Sequence, residues 1–546
     1  MRNSNFGDTM PADTSTSAQT PDTLAKALHT EWQDSGVRFW ASDPKMVTQH
    51  EKAIQDLMSC IKSVGSAPPI LQEGGTYFGC WLESTGTINA EILSRFLPTV
   101  AENTFSAFAK GQRKDGLFPY KITQDGPAFA QIQTVTPLAR AVWNHYALNG
   151  KNRAFLNELY PAMVANDRWL AQHRDTLAIG GVEAFCCYDT GHDGSPRFWH
   201  VPDSPFENDP AQYDPTNPIL PFVAPDLTAN VACQRVYLGK IANELGIEND
   251  WAALAQASQK ALFEQCYDDQ DDFFYDLDRK GSFVRVQSDI LLRVLACEIG
   301  DATFFDRMLR KYMLNTRKFF ARFPFTSIAM DDPRFDPNFA QNSWGGPTNF
   351  LSIIRAAHAF EHHGRHTELT WVEQPILHAL FGFDAFPQTL DPKTGAQGFT
   401  QCYSPSILCL LDFVERLCGI LPRPDQSLWF TGLTPKSIEH RVEDIETSYS
   451  RRVDGHEFTL KNTPKQTTAF RDGQRLYQAP AGLRVLTDRT GGIQAVIGLQ
   501  ASGVSGVFST AKSDIEINIQ ANEHLLFDGS SFERFAEPGL TPISHG

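Results

Sequence analysis

Between residues 23 and 420, apolar side chains recur at spacings of three and four in segment after segment, each too long to be a strand. The first half holds "TLAKALHTEWQDSGVRFW", "HEKAIQDLMSCIKSVG", "AEILSRFLPTVAENTFSAFAKG", "TVTPLARAVWNHYALNG", "NRAFLNELYPAMVANDRWLAQH", "LTANVACQRVYLGKIANELG" and "DWAALAQASQKALFEQCY". The second half adds "VQSDILLRVLACEIG", "DATFFDRMLRKYML", "GPTNFLSIIRAAHAFEHHG", "TELTWVEQPILHALFG" and "YSPSILCLLDFVERLCG", several of them stopped by a glycine. Roughly a dozen helices result, in pairs separated alternately by short turns and by longer loops rich in Gly, Pro, Asp and aromatics. That alternation predicts a mainly α fold: six hairpins whose inner helices surround one axis and whose long loops gather at one mouth. A pocket is expected there. An open solenoid would need a repeat of fixed length, and the chain has none.

After "ILPRPDQSLWFTGL" the pattern changes. Short alternating segments such as "GHEFTLKN", "QRLYQAPAGLRVLTD", "GGIQAVIGL", "SGVFST" and "DIEINIQANEHLLFDG", broken by Gly and Asn, predict antiparallel strands. The expected organisation is a disordered Ser/Thr/Pro/Asp-rich leader over 1–22, a helical catalytic domain over 23–420 and a C-terminal β-sandwich over 421–546.

Charge narrows the partners. With 64 Asp and Glu against 48 Lys and Arg, a formal charge of -16 repels nucleic acid and anionic membranes at long range. A small neutral or cationic guest suits the chain better, and 39 Phe, 13 Tyr and 10 Trp offer faces for sugar rings as well as filling the core. The ten cysteines form no C-x-x-C pair and read as reduced and mostly buried. The opening residues lack a signal-peptide run, and no stretch reaches the ~18 apolar residues of a membrane span, so a cytoplasmic protein is expected.

The densest chemistry lies in "CCYDTGHDGSPRFWHVPDSP", residues 186–205. Gly191, Gly194 and Pro196 prevent a helix and force a tight loop that carries Asp189 and Asp193. Beside Tyr188, Phe198 and Trp199 a carboxyl projecting into the pocket would lose water and its pKa would rise, as a general acid at neutral pH requires; turn capping by both aspartates is the alternative. Asp189, just before Thr-Gly, is the better turn cap of the two. "FGCWLESTGTI" sets Trp81 and Glu83 before a helix, "DGLFPY" makes a tight turn, and "AQNSWGGPTNF" sets Gln341, Asn342 and Trp344 before another helix. Amides and an indole there suit hydroxyl binding and stacking, and helix capping accounts equally well for Asn342 and Asn349.

Taken in order, "CWLESTG", "DGLFPY", "DTGHDGSPRF", "APDLTANV", "DDFFYDLDRKG", "NSWGGPTN" and "LDPKTG" resemble the glucosidase I and mannosylglycerate hydrolase group of glycoside hydrolases, relatives of the inverting trehalases. The likeness spans nearly the whole helical region. "GHDGSP" is its strongest motif, with Gly194 where the group usually has Asn, and "APDLTANV" has Thr228 at another usual Asn. The resemblance implies an (α/α)6 barrel, inversion of configuration, and Asp193 as the acid that protonates the leaving glycosidic oxygen. Trp81, Glu83, Arg197, Asp226, Gln341 and Trp344 would line the sugar pocket, joined by Tyr188 and Gln388. No metal or cofactor is implied, and the expected partner is a small carbohydrate: an α-linked glucoside, mannoside or short oligosaccharide. Sugar, linkage and oligomeric state stay unassigned.

The second carboxylate is the departure. In that group the base is a glutamate shortly before a DPxTG-like loop, and "FDAFPQTLDPKTGAQGF" puts Gln388 and Thr389 there, neither able to accept a proton at neutral pH. Asp384, Glu373 and Asp391 are near in sequence without an assigned role. Three readings stand open: a shifted register with another carboxylate, a base on a different loop such as Glu83, or a chain that does not hydrolyse by the usual route. A phosphorylase needs only one acid, but no Gly-rich or basic phosphate cradle is present. A sugar epimerase leaning on His192 or His200, and a non-catalytic binding protein, are the alternatives. "AFEHHGRH" groups three histidines at a helix end, where solvation and the dipole explain them better than a metal does.

Overall fold

The computed structural model describes residues 21–436 and 444–536. The expected leader falls outside the described residues except for 21 and 22, which open the first helix, α1 (Pro21–Ser35). The helices that follow are α2 (Pro44–Ser59), α3 (Ala90–Leu93), α4 (Pro98–Lys110), α5 (Leu138–Leu148), α6 (Arg153–His173) and α7 (Pro225–Leu245). They continue with α8 (Trp251–Cys266), α9 (Ile290–Leu295), α10 (Ala302–Met308), α11 (Phe350–His362), α12 (His366–Gly382) and α13 (Ser404–Cys418).

Two segments expected as single helices are divided, each for a local reason. In "AEILSRFLPTVAENTFSAFAKG", Pro98 pushes Leu97 out of the helical region (φ -135°, ψ 71°), so the chain turns and α4 folds back on α3. In "TLAKALHTEWQDSGVRFW", Gly36 ends the helix at φ +65°, and a Cβ there would meet Arg452 at 2.7 Å. The residues beyond it, Arg38–Ala41, form a strand.

Burial separates inner from outer helices. Every residue of α13 is buried, whereas α2 buries Met46, Gln49, His50, Ala53 and Leu57 along one stripe. α3 packs on α5, α5 on α7, α7 on α9, α9 on α11, α11 on α13, and α13 again on α3. Against these lie α4 on α3, α6 on α5, α8 on α7, α12 on α11 and α2 on α13. The charged residues inside α13 are paired: Asp412 with Arg95 and Arg416, and Glu415 with Arg95 and Arg451.

The C-terminal region is two antiparallel sheets. One has seven strands in the order Arg38–Ala41, Thr447–Val453, His456–Asn462, Gln466–Arg471, Gln474–Pro480, Val504–Thr510 and Asp514–Ile519. The other has six: Ile420–Pro422, Leu428–Thr431, Leu483–Thr487, Ile493–Gly498, His524–Phe527 and Phe532–Ala536. Phe430 of the second sheet meets Phe458 and Tyr477 of the first edge-on, at 5.9 and 6.2 Å, so the apolar faces oppose each other. The first strand comes from the N-terminal segment and pairs Phe39 with Tyr449. Tyr449 in turn donates to Glu415 of α13 at 2.8 Å, tying sheet to helices.

Candidate active site

The loop that carries Asp193 is anchored at Asp189. This fully buried carboxylate accepts backbone N–H groups of Ile132 (3.0 Å), Phe185 (2.8 Å) and Cys186 (3.3 Å) and pairs with Arg174 at 2.6 Å. That is the turn-capping role expected of it. Four residues beyond Asp193, the guanidinium of Arg197 lies between Asp226 at the start of α7 (3.1 Å) and Asp276 (2.7 Å). Its Nη1 also donates to His192 Nδ1 at 2.6 Å. Arginine only donates, so Nδ1 is the unprotonated nitrogen and the His192 proton sits on Nε2, 3.1 Å from Asp289. Burial and the neighbouring guanidinium groups hold His192 at about 3, neutral at physiological pH.

Between these anchors Asp193 turns outward and stays partly exposed. Its Oδ2 accepts from Asn342 Nδ2 at 2.8 Å, and its carbonyl accepts the Trp344 N–H at 3.2 Å. Burial first, and then the charge of Glu83, push its carboxyl up to about 7, against the pull of Asn342 and Arg293. A carboxyl at that value keeps its proton on about half its molecules at pH 7 and can give it away.

Glu83 is the carboxylate that faces it. Its Oε1 lies 3.4 Å from Arg293 and 3.8 Å from Arg355. Burial raises its pKa while the two arginines oppose the rise. Gly191, at φ +67°, makes the close approach possible: a Cβ there would fall 1.8 Å from Glu83 Oε2. Behind Glu83 another buried carboxyl, Glu73, accepts from Ser84 (2.5 Å), Thr85 (3.1 Å) and Tyr403 (2.6 Å), and burial raises it to about 7. Tyr77 closes this side, donating to Gln388 Oε1 at 2.7 Å and standing edge-on to Trp81 at 5.6 Å. The charges of Asp193, Glu73 and Glu83 all bear on its phenol. Asp226, Asp289 and Asn349 stand at the N-terminal ends of α7, α9 and α11, so the inner helices present their starts to one region. Asn349 caps α11 through the Leu351 N–H at 3.0 Å.

The sequence candidates therefore divide. Asp193, Glu83, Trp81 and Gln388 come together, and Tyr188 is near enough for the charge of Asp193 to help burial push its phenol up to about 12. Arg197 and Asp226 are enclosed by their own ion pairs, which places them behind the surface that a ligand reaches. Trp344 is 1% exposed, covered by His192 (4.6 Å) and Arg293 (4.8 Å). Gln341 points to solvent, and its neighbour Asn342 makes the bond to Asp193.

Of the other carboxylates, Asp384 is exposed. Asp391 caps its own turn through the Lys393 and Thr394 N–H groups at 2.7 and 3.0 Å. Glu373 is buried among Arg484, Glu361 and Arg416, where the helices meet the sheets. Glu73, Tyr77, Arg293 and Arg355 escaped the sequence reading. "QEGGTYFG", directly before "CWLESTG", was the signal for the first two.

The histidines of "AFEHHGRH" differ from a solvated terminus. His362 is exposed, but His363 and His366 are buried, and His358 donates to Glu298 at 2.9 Å. Ligand atoms of Glu298, His358 and His362 lie within 4.8 Å of one another and could hold a metal ion, at the opposite ends of α9 and α11 from Asp193. Among the described residues, no helix is long and apolar enough to cross a membrane.

The sequence model described as the mannosylglycerate hydrolase MGH1-like glycoside hydrolase domain matches residues 81–406. No curated protein matches the chain by sequence. Among solved structures, a GH63 mannosylglycerate hydrolase from Thermus thermophilus, in complex with Tris and D-glycerate, is similar with a TM-score of 0.57 and 18% identity, covering 66% of this chain and 99% of that one. A neutral trehalase from Saccharomyces cerevisiae follows at 0.50 and 12% identity, covering 72% of this chain and 94% of that one. These two likenesses concern the fold.

Proposed function

The chain belongs to the mannosylglycerate hydrolase MGH1-like glycoside hydrolases and is a glycosidase, and from that premise we propose that it cleaves an α-linked glucoside, mannoside or short oligosaccharide with inversion. Asp193 is the general acid and Glu83 the base. The observation that carries this is the coupling of the two: Glu83 is the charged group that most raises the Asp193 carboxyl, while Arg293 and Arg355 favour the anionic form of Glu83 itself. Burial raises both carboxyls, and the two arginines, which offset the rise at Glu83 more than at Asp193, are what favour Glu83 as the base of the pair.

Asp193 protonates the leaving oxygen from one side of the sugar. Glu83 takes a proton from water on the other as the water attacks the anomeric carbon, which requires the carboxyls to stand about 6.5 to 9.5 Å apart around the substrate. Trp81 and Tyr77 offer rings for stacking and Gln388 an amide for a hydroxyl. Such a site needs the loops of a closed scaffold. We read the ring of six inner helices, with the outer helices packed against it, as an (α/α)6 barrel over residues 23–420 and the two sheets as a β-sandwich over 421–546, with the strand 38–41 crossing between them. The ten unpaired thiols suit a reducing compartment, the cytoplasm. The epimerase reading loses His192, whose ring is enclosed and whose Nδ1 already accepts from Arg197, and is left with the exposed His200.

Leaving-group dependence tests the assignment. On α-glycosides with a poor leaving group, Asp193→Asn and Glu83→Gln should each lose about 100-fold or more in turnover. On the matching glycosyl fluoride, which needs no acid, Asp193→Asn should recover and Glu83→Gln should not, and the first-formed sugar should be the β-anomer by proton NMR. Undiminished turnover of an unactivated glycoside by Asp193→Asn refutes the acid, and full fluoride turnover by Glu83→Gln refutes the base.

A further inference from the structure

Nine of the ten cysteines are buried; the tenth, Cys402, is partly exposed. It borders a cavity of about 540 Å³ together with Ser59, Cys60, Tyr77, Phe78 and Thr400. Its Sγ lies 3.8 Å from that of Cys60, 342 residues away in the chain, and 3.4 Å from Ser59 Oγ. Cys60 is fixed at the end of α2, where its N–H bonds the carbonyls of Asp56 and Leu57 at 3.2 and 3.0 Å.

Cys402 sits on a strained stretch. It and Thr400 both adopt the left-handed region, at φ +53° and +60°. Gly74 packs against both partners: a Cβ there would lie 2.3 Å from the Cys402 carbonyl and 2.8 Å from Cys60 Sγ. The same neighbourhood joins the candidate site, because Ser404 N–H donates to the Glu73 carbonyl at 2.8 Å and Tyr403 OH to the Glu73 carboxyl at 2.6 Å.

We propose that Cys60 and Cys402 are an oxidisable dithiol, with Cys402 the thiol that reacts first and Cys60 the one that resolves it, closing a disulfide between the end of α2 and the 400–403 loop. The assignment of order follows from access and from hydrogen bonding. The contact with Cys60 holds the Cys402 thiol below its ordinary range, while the same contact and burial push Cys60 up. The oxidant is a small disulfide such as glutathione disulfide. The Cys402 thiolate attacks one of its sulfurs, forming a mixed disulfide and releasing one glutathione thiolate. Cys60 then loses its proton, attacks the Cys402 sulfur and releases the second glutathione. Two protein thiols are oxidised, the small disulfide is reduced to two thiols, and the protons lost by the protein end on them. Closure moves the sulfurs from 3.8 Å to the ~2.05 Å of a disulfide.

The test is a mass-spectrometric map of the native full-length protein, and none of its readouts depends on glycoside turnover. Brief treatment with iodoacetamide at pH 7 should alkylate Cys402 at least about tenfold faster than any other cysteine. Incubation with glutathione disulfide should yield, in a peptide map without reductant, one linked pair holding Cys60 and Cys402, which dithiothreitol separates. Cys60→Ser should leave glutathione on Cys402 as a stable adduct, and Cys402→Ser should take up none at Cys60. Recovery of Cys60 and Cys402 as separate free thiols at the highest glutathione disulfide concentration, or faster alkylation of another cysteine, overturns the proposal. The map of the unsubstituted protein decides it even where Cys60→Ser fails to fold.

Discussion

Asp193 should cost the folded protein stability as the pH rises, and Asp193→Asn should remove that cost. The carboxyl titrates at about 7 in the folded chain against an ordinary value of 3.8, and in the unfolded chain it loses its proton near ~4. Between those limits the folded chain holds a proton that the unfolded chain has released. The stabilisation is therefore fully present below pH ~4 and is lost as pH rises through about 7. Three units correspond to roughly 4 kcal/mol, and the partial exposure of the side chain reduces this to about 2 to 3 kcal/mol. The asparagine keeps an oxygen for Asn342 Nδ2 and never ionises.

The assay is the difference in unfolding midpoint between the two proteins at about pH 5.5 and about pH 8.5, where the variant should gain roughly 1 to 2 kcal/mol relative to wild type. A difference is needed because Glu73, at about 7, and Glu373, at about 8, titrate with the same sign and cancel on subtraction. On the proposed assignment the same proton serves turnover, so log kcat/KM of the wild type should fall with unit slope above pH ~7. A stability difference that stays flat with pH, together with an alkaline limb near pH ~5, would show that Asp193 is already ionised at neutrality and cannot serve as the acid.

Gly191→Ala should place a methyl against Glu83 Oε2 at a left-handed backbone position, costing about 1 to 2 kcal/mol of stability and at least about 100-fold in turnover as the carboxylate is displaced; thermal unfolding and steady-state kinetics read the two. Arg197→Met should leave Asp276 buried without its partner and Asp226 with only the longer pair to Arg293 at 3.5 Å, and cost about 3 to 5 kcal/mol, visible as a lowered melting temperature before any kinetic measurement. Glu373→Gln should change neither: the buried acid is mostly protonated at pH 7, since its pKa is pushed up to about 8, and its stability should stay within about 0.5 kcal/mol with full turnover. Loss of activity in that variant would restore Glu373 as a candidate base.

The helical pairing was legible because burial writes itself into spacing. In α2, positions 46, 49, 50, 53 and 57 trace one stripe, and the inner α13, buried on all sides, shows as a near-continuous apolar run. What the spacing hid were interruptions set by single residues. Pro98 bends a helix that periodicity alone would continue. Gly36 releases four residues to a sheet whose other strands begin about four hundred residues later. That pairing is long-range and depends on a complementary edge, which no local window contains.

The site was legible to the extent that its residues lie in one loop. Asp189 and Asp193 are four apart and chemically identical in the sequence, yet one is saturated by three backbone N–H groups and an arginine while the other has a single amide for a partner. The glycines make that difference. Gly191 lets the chain double back between the two, so that the first carboxylate faces the protein interior and the second faces Glu83. The arginines resist such reading more strongly. Arg197, Arg293 and Arg355 look alike as polar residues in apolar surroundings, but Arg197 is bound by two aspartates, Arg293 divides itself among Glu83, Asp226 and the Thr190 carbonyl, and Arg355 shares Glu83. Only the three-dimensional neighbours of each guanidinium decide between holding a loop in place and tuning a proton, because both tasks demand the same residue type and the same burial.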